Sequence, residues 1–365
     1  MDLARLKIGL STECLPAYTA DRYTGIILLG KSGQGKSATI SNWWKHDCYF
    51  PYAKILIEPT GFLAQDCYSI SQGKALYCSL NTPVSINPMQ TPYEPNQISD
   101  NVAEALNQVI TLTTPNTPFT VKMRSILDHS VKWCLGNNRR SLLHVRDNIQ
   151  NLKGDGETRD GIIQRLNFLL NDERMQPILC GNNSIEWGRL IETGQTFILD
   201  AFGMSREKMI FAGNIISQGI KNYFRYERPS EYKPLAIYMD ECHLFVNCNV
   251  LDILKEGRRY KLGLVLATQD LAVIEDKLAR VMCNVGTILT YRAGFREAQI
   301  IGKEMDCTPQ DIQFLEKYHV AYLTPKEKGI AKAPRPPLFK KLEVKRVEPK
   351  RKSKGWFNLE SYQTA

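Results

Sequence analysis

Eight consecutive residues, Gly30-Lys31-Ser32-Gly33-Gln34-Gly35-Lys36-Ser37, restrict this chain more than any other part of it. They fit G-x-x-x-x-G-K-[ST] and stand between an apolar run at 26–29 and a helical pattern over 38–45, the context such a loop requires. The glycines let the backbone turn so that successive N–H groups wrap an anion, and the N-terminus of the following helix adds partial positive charge. In that arrangement Gly30 through Ser37 cradle the phosphates of a nucleotide. Lys36 reaches the β- and γ-phosphates and so counts among the catalytic residues, while Ser37 is a magnesium ligand. ATP and Mg²⁺ are the expected cofactors.

A loop of this kind needs a parallel sheet behind it, and the rest of the sequence supplies one. Short apolar runs recur between glycine and proline punctuation at 26–29, 53–57, 196–199, 235–239, 263–267, 287–290 and 320–323, and they read as buried parallel strands. Helical patterns lie between several of them, as in Leu271, Ile274, Leu278, Val281 and Met282. The expected fold class is therefore α/β, with a mainly parallel central sheet. From about 97 to 190 only helical periodicity appears, for example Ile98, Val102, Leu106 and Val109, which predicts an all-α insertion. The expected organisation is a lead over 1–24, a first core part over 25–96, the insertion over 97–190, a second core part over 191–325 and a basic, proline-containing tail over 326–365.

Two acids follow the run at 235–239. Asp240 at the tip of that strand is placed to hold the magnesium shell and Glu241 to polarise an attacking water. Downstream, Glu256-Gly257-Arg258-Arg259-Tyr260-Lys261-Leu262-Gly263 leads into a strand that ends at Thr268-Gln269. Arg258 supplied by a neighbouring subunit would offset γ-phosphate charge, and Gln269 would sense that phosphate or orient the water. His243 has no second ligand at metal-binding spacing and reads as a packing or hydrogen-bonding residue.

Composition narrows the class further. With 365 residues and 43% apolar content the chain can bury a full core. No apolar run approaches the roughly 18 to 20 residues of a membrane span, and the N-terminus lacks the apolar stretch of a signal peptide, so a cytoplasmic protein without a membrane anchor is expected. The ten cysteines include no C-x-x-C pair and read as reduced thiols. The net charge of +9 resides wholly in 326–354, where twelve Lys/Arg face three Glu. Prolines 334, 336, 337 and 349 make that stretch an extended arm rather than a helix, and a polyanion is one partner it suits.

Taken together, GKSGQGKS, IYMDECHLF and EGRRYKLGLVLATQ resemble the FtsK–HerA superfamily of RecA-like P-loop NTPases, nearest to HerA-type helicase motors and type IV secretion ATPases. Glu58-Pro59-Thr60-Gly61 is similar to the family's D-P-K-G turn, with Glu58 for the usual Asp, and Arg259 stands where Lys is usual. The resemblance spans 26–323. It implies a ring, commonly hexameric, that pumps double-stranded DNA by hydrolysing ATP, with Lys36, Asp240, Glu241, Gln269 and Arg258 in the family's roles. No HerA-type N-terminal barrel, membrane anchor or large secretion-type N-terminal domain is recognisable. A stripped motor of this kind suits a mobile element or virus, with genome packaging or conjugative transfer as its task and that element's proteins as partners. The alternatives are a secretion-type ATPase acting on protein and an ATP-dependent switch with little turnover. A DExH-box helicase would need a second RecA-like core, which the sequence lacks.

Overall fold

The computed structural model describes residues 22–344 apart from 114–117, 155, 228, 246–247, 272–280, 282 and 326, together with 5–7 and 14–16. Strands β1 (Arg5–Lys7) and β2 (Cys14–Pro16) form a small antiparallel pair. The central sheet has nine strands: β3 (Ile26–Leu29), β4 (Ala53–Glu58), β5 (Leu76–Cys78), β6 (Thr196–Asp200), β7 (Leu235–Met239), β8 (Leu262–Thr268), β9 (Thr287–Thr290), β10 (His319–Leu323) and β11 (Lys328–Lys332). Their spatial order is β11-β10-β9-β3-β8-β7-β4-β6-β5. Every neighbouring pair from β9 to β5 is parallel. This is the mainly parallel α/β sheet that the strand pattern predicted, as the resemblance to RecA-like NTPases also implied.

Strands β3, β4, β7 and β8 are buried along their whole length, because both faces of the sheet are covered. Alternate residues feed two cores. Ile26 and Leu28 join α1 (Lys36–Asp47) and α2 (Phe62–Ile70) on one face, around Trp43 and Trp44. Ile27 and Leu29 face the other core, filled from α3 (Pro95–Thr113), α4 (Val121–Gly136), α5 (Leu142–Asn151), α6 (Gly156–Leu170), α7 (Gln176–Cys180), α8 (Trp187–Glu192) and α9 (Arg206–Asn222). Helices α3 to α8 all lie between β5 and β6 in the chain. Thr120 caps α4 by accepting from the Met123 N–H, and Ser141 does the same for α5 from Leu143. None of the described helices is long and apolar enough to cross a membrane.

Three features differ from the sequence reading or were not in it. The run at 320–323 was expected to be parallel, but β10 runs antiparallel to both β9 and β11, since an apolar run of that length carries no information about direction. Strand β5 is three residues long and one of the three, Leu76, is exposed, so no periodicity marks it. In the basic C-terminal stretch, Lys328–Lys332 is an edge strand, and 333–344 runs extended across α1 and α2. There Asn42 and Lys45 donate to the carbonyls of Arg335 and Leu338, and the Leu342 N–H donates to Ser69. The helical pattern from 271 to 282 and the cations at 326 and 345–354 lie outside or only partly within the described residues.

One polar network is sealed inside this apolar frame. Arg22 is 3% exposed and makes a two-pronged contact with Asp47, the last residue of α1, through NH1 at 2.7 Å and NH2 at 2.5 Å. Its guanidinium also donates to the Tyr238 hydroxyl of β7 at 2.7 Å, and that hydroxyl donates to Asp47 at 2.6 Å. Gly263 at the start of β8 leaves room, because a Cβ there would stand 3.1 Å from the Arg22 side chain. Burial alone would raise the Asp47 pKa, but the facing guanidinium reverses this and holds the carboxyl below its ordinary range. Removing one partner strands the other charge in the core. Asp47→Ala is expected to lower unfolding stability by about 3–5 kcal/mol, read from urea denaturation, while a loss under about 1 kcal/mol would contradict this role.

Candidate functional site

The parallel register lines up three strand tips. Leu29 of β3 stands opposite Thr268 of β8, and Met239 of β7 opposite Leu266, so the loops after β3, β8 and β7 emerge side by side at one edge of the sheet. The first is the glycine-rich loop. Gly30, Gly33 and Gly35 all have positive φ, at 148°, 73° and 122°. At Gly30 a Cβ would meet the Tyr291 side chain at 2.5 Å, whereas at Gly33 it would meet nothing within 4 Å, so this backbone faces open space. The loop is tied to β9 by the Lys31 N–H, which donates to Arg292 O at 2.9 Å, and α1 is tied to it by Thr39 and the Tyr291 hydroxyl at 2.5 Å. Helix α1 begins with no side-chain cap and no acid in its first turn, which leaves its N-terminal N–H groups for an anion. Gly30, Lys31, Ser32, Gly33, Gln34, Gly35, Lys36 and Ser37 thus form one concave backbone surface. Lys31, Ser32 and Ser37 are exposed at its rim, and Lys36 is buried behind it.

Lys36 Nζ donates to Gly30 O at 2.6 Å and to Lys31 O at 3.3 Å. Burial lowers its pKa, and the charges of Glu241 and Asp240, after β7, act in the opposite direction. Asp240 is 6% exposed and its pKa rises to about 6, through burial first and the neighbouring Glu241 charge second. Glu241 is raised as well, by burial, although Lys36 and a backbone hydrogen bond from Gln269 oppose this. It sits in the left-handed region at φ 44°, and Asp240 accepts from its N–H at 3.0 Å.

The acids nearby are differently disposed. Glu58 is buried and saturated: it accepts from the Thr60 N–H and hydroxyl and from the N–H groups of Gly61 and Ala64, so it caps α2, which has no cap of its own. Asp200 accepts from the Tyr77 hydroxyl at 2.5 Å and from Phe202 N–H. Glu241 Oε2, by contrast, is buried without a hydrogen-bond partner. A phosphate on the loop and a cation beside Asp240 and Ser37 are the groups this donor and acceptor set fits: uncapped N–H groups, an ammonium, one accessible hydroxyl and a carboxylate held at electrostatic cost.

His243, read from the sequence as a packing or hydrogen-bonding residue, is a hydrogen-bonding one. His243 Nδ1 lies 2.9 Å from Thr268 Oγ1, at the tip of β8, and 3.4 Å from Glu241 Oε2, a contact not aligned as a hydrogen bond. The Thr268 hydroxyl donates to Asp270 O, so the ring carries its proton on Nδ1 and donates to Thr268. Burial lowers the His243 pKa and keeps it neutral. Its place two residues after Glu241 was the only hint in the sequence. Gln269 has an exposed side chain at the same edge. Arg258 is also exposed, but it lies in the turn Gly257–Tyr260 that precedes β8, a strand length or roughly 20 Å from the loop of its own chain.

The pKa of Asp240 carries a stability consequence. Above pH 6 the native state holds a buried charge beside Glu241; between pH 6 and 4 it takes up a proton that the unfolded chain does not, so stability rises as pH falls through that window. Asp240→Asn is expected to stabilise the nucleotide-free, magnesium-free protein by about 2–3 kcal/mol at pH 7.5, with the gain fading by pH 4.5. Urea midpoints at the two pH values check this, and a pH-independent gain would refute it.

No protein-family model matches the sequence, and no curated protein matches it. Solved structures do. The bacterial conjugative coupling protein TrwBdeltaN70 superposes with a TM-score of 0.71 at 13% identity, over 94% of this chain and 92% of that one. The plasmid coupling protein TrwB in complex with ADP and Mg²⁺ gives 0.71 at 12%, over 92% and 91%. VirB4 of Thermoanaerobacter pseudethanolicus gives 0.69 at 12%, over 92% and 97%. The chain has the fold of these proteins from end to end of the matched region.

Proposed function

We propose that this chain is an ATP-hydrolysing motor of the FtsK–HerA type that assembles into a ring and moves double-stranded DNA. The observation that carries the reading is the meeting, at one sheet edge, of an uncapped phosphate-binding loop, Lys36, and two acids of which Glu241 retains a buried oxygen without a partner. A protein that only bound nucleotide would have no use for that second carboxylate. In this reading Gly30 to Ser37 hold the triphosphate, and Ser37 and Asp240 hold Mg²⁺ with the phosphate oxygens and water. Lys36 neutralises charge on the β- and γ-phosphates. Glu241 accepts a proton from the attacking water, and its raised pKa suits a base. The Gln269 N–H holds that carboxylate, His243 is anchored beside it on Thr268, and the Gln269 side chain faces the γ-phosphate. The magnesium and nucleotide in the TrwB complex with ADP and Mg²⁺ support the cofactor assignment.

Arg258 stands at the opposite end of β8 from its own loop, so its contribution comes from the next subunit of the ring, a hexamer in this reading. TrwB is a conjugative, plasmid coupling protein, and that likeness supports DNA as the cargo. The task in this reading is conjugative transfer or genome packaging, with a mobile element's or virus's own proteins as partners. The likeness to VirB4, about as strong, carries the second reading, a secretion-type ATPase acting on protein. Stimulation of turnover by duplex DNA, falling with salt, supports the first; turnover indifferent to DNA supports the second.

Two variants test the chemistry. Glu241→Gln is expected to bind ATP normally and lose about 10²–10⁴-fold in kcat; a loss under threefold removes Glu241 from its role. Arg258→Ala is expected to bind ATP and to fall about 10³-fold in turnover. Mixing it with Lys36→Ala chains should restore part of the activity, since some interfaces then join an intact Lys36 to an intact Arg258. Steady-state ATPase of the mixture reads this directly, and no recovery at any ratio would exclude action between subunits.

A further inference from the structure

Beyond β10 and β11 lies a groove that the proposed chemistry does not use. It encloses about 610 Å³, within the range that accepts large apolar bodies. Ile312, Leu315 and Ala321 are buried in its floor, while at its lips Phe314 is 74% exposed and Ile330 64% exposed. Ile330 belongs to β11, the outermost strand of the sheet, whose far side pairs with no other strand among the described residues. An apolar lip beside an open strand edge is a surface that proteins ordinarily cover. The rim bears the carboxylates of Asp306, Asp311 and Glu316; Lys328 pairs with Asp306 at 3.0 Å, and the rim stays net negative.

We infer that this groove receives the C-terminal segment, residues 355–365, of a second copy of the chain. Three observations support that occupant. The segment reads Gly-Trp-Phe-Asn-Leu-Glu-Ser-Tyr-Gln-Thr-Ala, so Trp356, Phe357 and Leu359 offer apolar side chains to match the apolar floor and lips. The ten residues before it carry Lys345, Arg346, Lys350, Arg351, Lys352 and Lys354, a charge that complements the acidic rim. Third, the path of the chain favours a neighbour. From β11, residues 333–344 cross α1 to Ser69 of α2, the helix that follows β4. In the sheet β4 is six positions from β11, about 29 Å. Returning to its own groove would take the cationic 345–354 stretch back alongside Arg335, Lys340 and Lys341, against like charge. Delivery to the next copy avoids that path, and it is the head-to-tail contact from which closed rings are built. This inference rests on the ring reading above.

The test uses the full chain with a non-hydrolysable ATP analogue. Sedimentation velocity over a concentration series is expected to show self-association weakened about thirtyfold by Trp356→Ala with Phe357→Ala, and equally by Phe314→Glu in the exposed lip. Binding of a fluorescent ATP analogue per chain should be unchanged in both. If the unaltered chain assembles and both variants assemble equally well, the docking is overturned and the ring reading stands; if the unaltered chain stays monomeric, both are overturned. To tell copies apart, chains with Phe357→p-benzoylphenylalanine are irradiated in a mixture with isotopically heavy chains. Light-to-heavy crosslinks on the peptide bearing Phe314 are the expected result. Crosslinks to that peptide confined to light chains, or to other surfaces only, overturn the docking between copies.

Discussion

The bond between Arg22 and Asp47 fixes how the two halves of the candidate site stand to each other. Asp47 ends the helix that begins at Lys36, and Tyr238, which shares the guanidinium, is two residues from Asp240. A single buried cation thus sets the pitch of the loop-bearing helix against the acid-bearing strand, from the end of the helix remote from the chemistry. An apolar contact there would permit sliding, because dispersion has little directionality. A forked donor on a carboxylate does not. Gly263 belongs to the same constraint, since the neighbouring strand gives up a side chain to let the guanidinium through.

Where the frame is satisfied, the site is not. Glu58 and Asp200 each take hydrogen bonds from groups within their own turns or strands, and they serve the architecture. Burial raises the carboxyl pKa of all four acids, these two and Asp240 and Glu241, but among them an oxygen of Glu241, in the turn after β7, has no hydrogen-bond partner. The contrast lies in hydrogen bonding: the carboxylates that serve the architecture are saturated, and Glu241 is left with an acceptor for a ligand to use.

Much of this was legible in the residues. Strands β3, β7 and β9 begin and end where the apolar runs do, since a strand buried on both faces leaves an uninterrupted run between glycine or polar punctuation. The phosphate loop was legible because its glycine positions are demanded by backbone conformation rather than by packing. What escaped was non-local. The direction of β10 depends on how the chain returns from the helices before it. The cap that Glu58 gives α2 depends on a turn, and the link from His243 to Thr268 on a partner 25 residues away. That 333–344 is extended was legible from its prolines, but its course depends on acceptors offered to α1 from the other end of the sequence, which composition could not place.

That last course bears on how the protein is made. Asn42 of α1 and the backbone of Arg335 are 293 residues apart, and the edge strand β11 that precedes this contact cannot form until the final tenth of the chain exists. At about 5–20 residues per second, the outer face of the phosphate-loop helix waits on the order of 15–60 s on the ribosome for its cover. A nascent chain carries that face bare for the interval, and a chain that ends early carries it bare for good. This face is therefore closed only once β11 and the segment after it have been made, and a chain stopped before them is told from one that includes them by exposed surface.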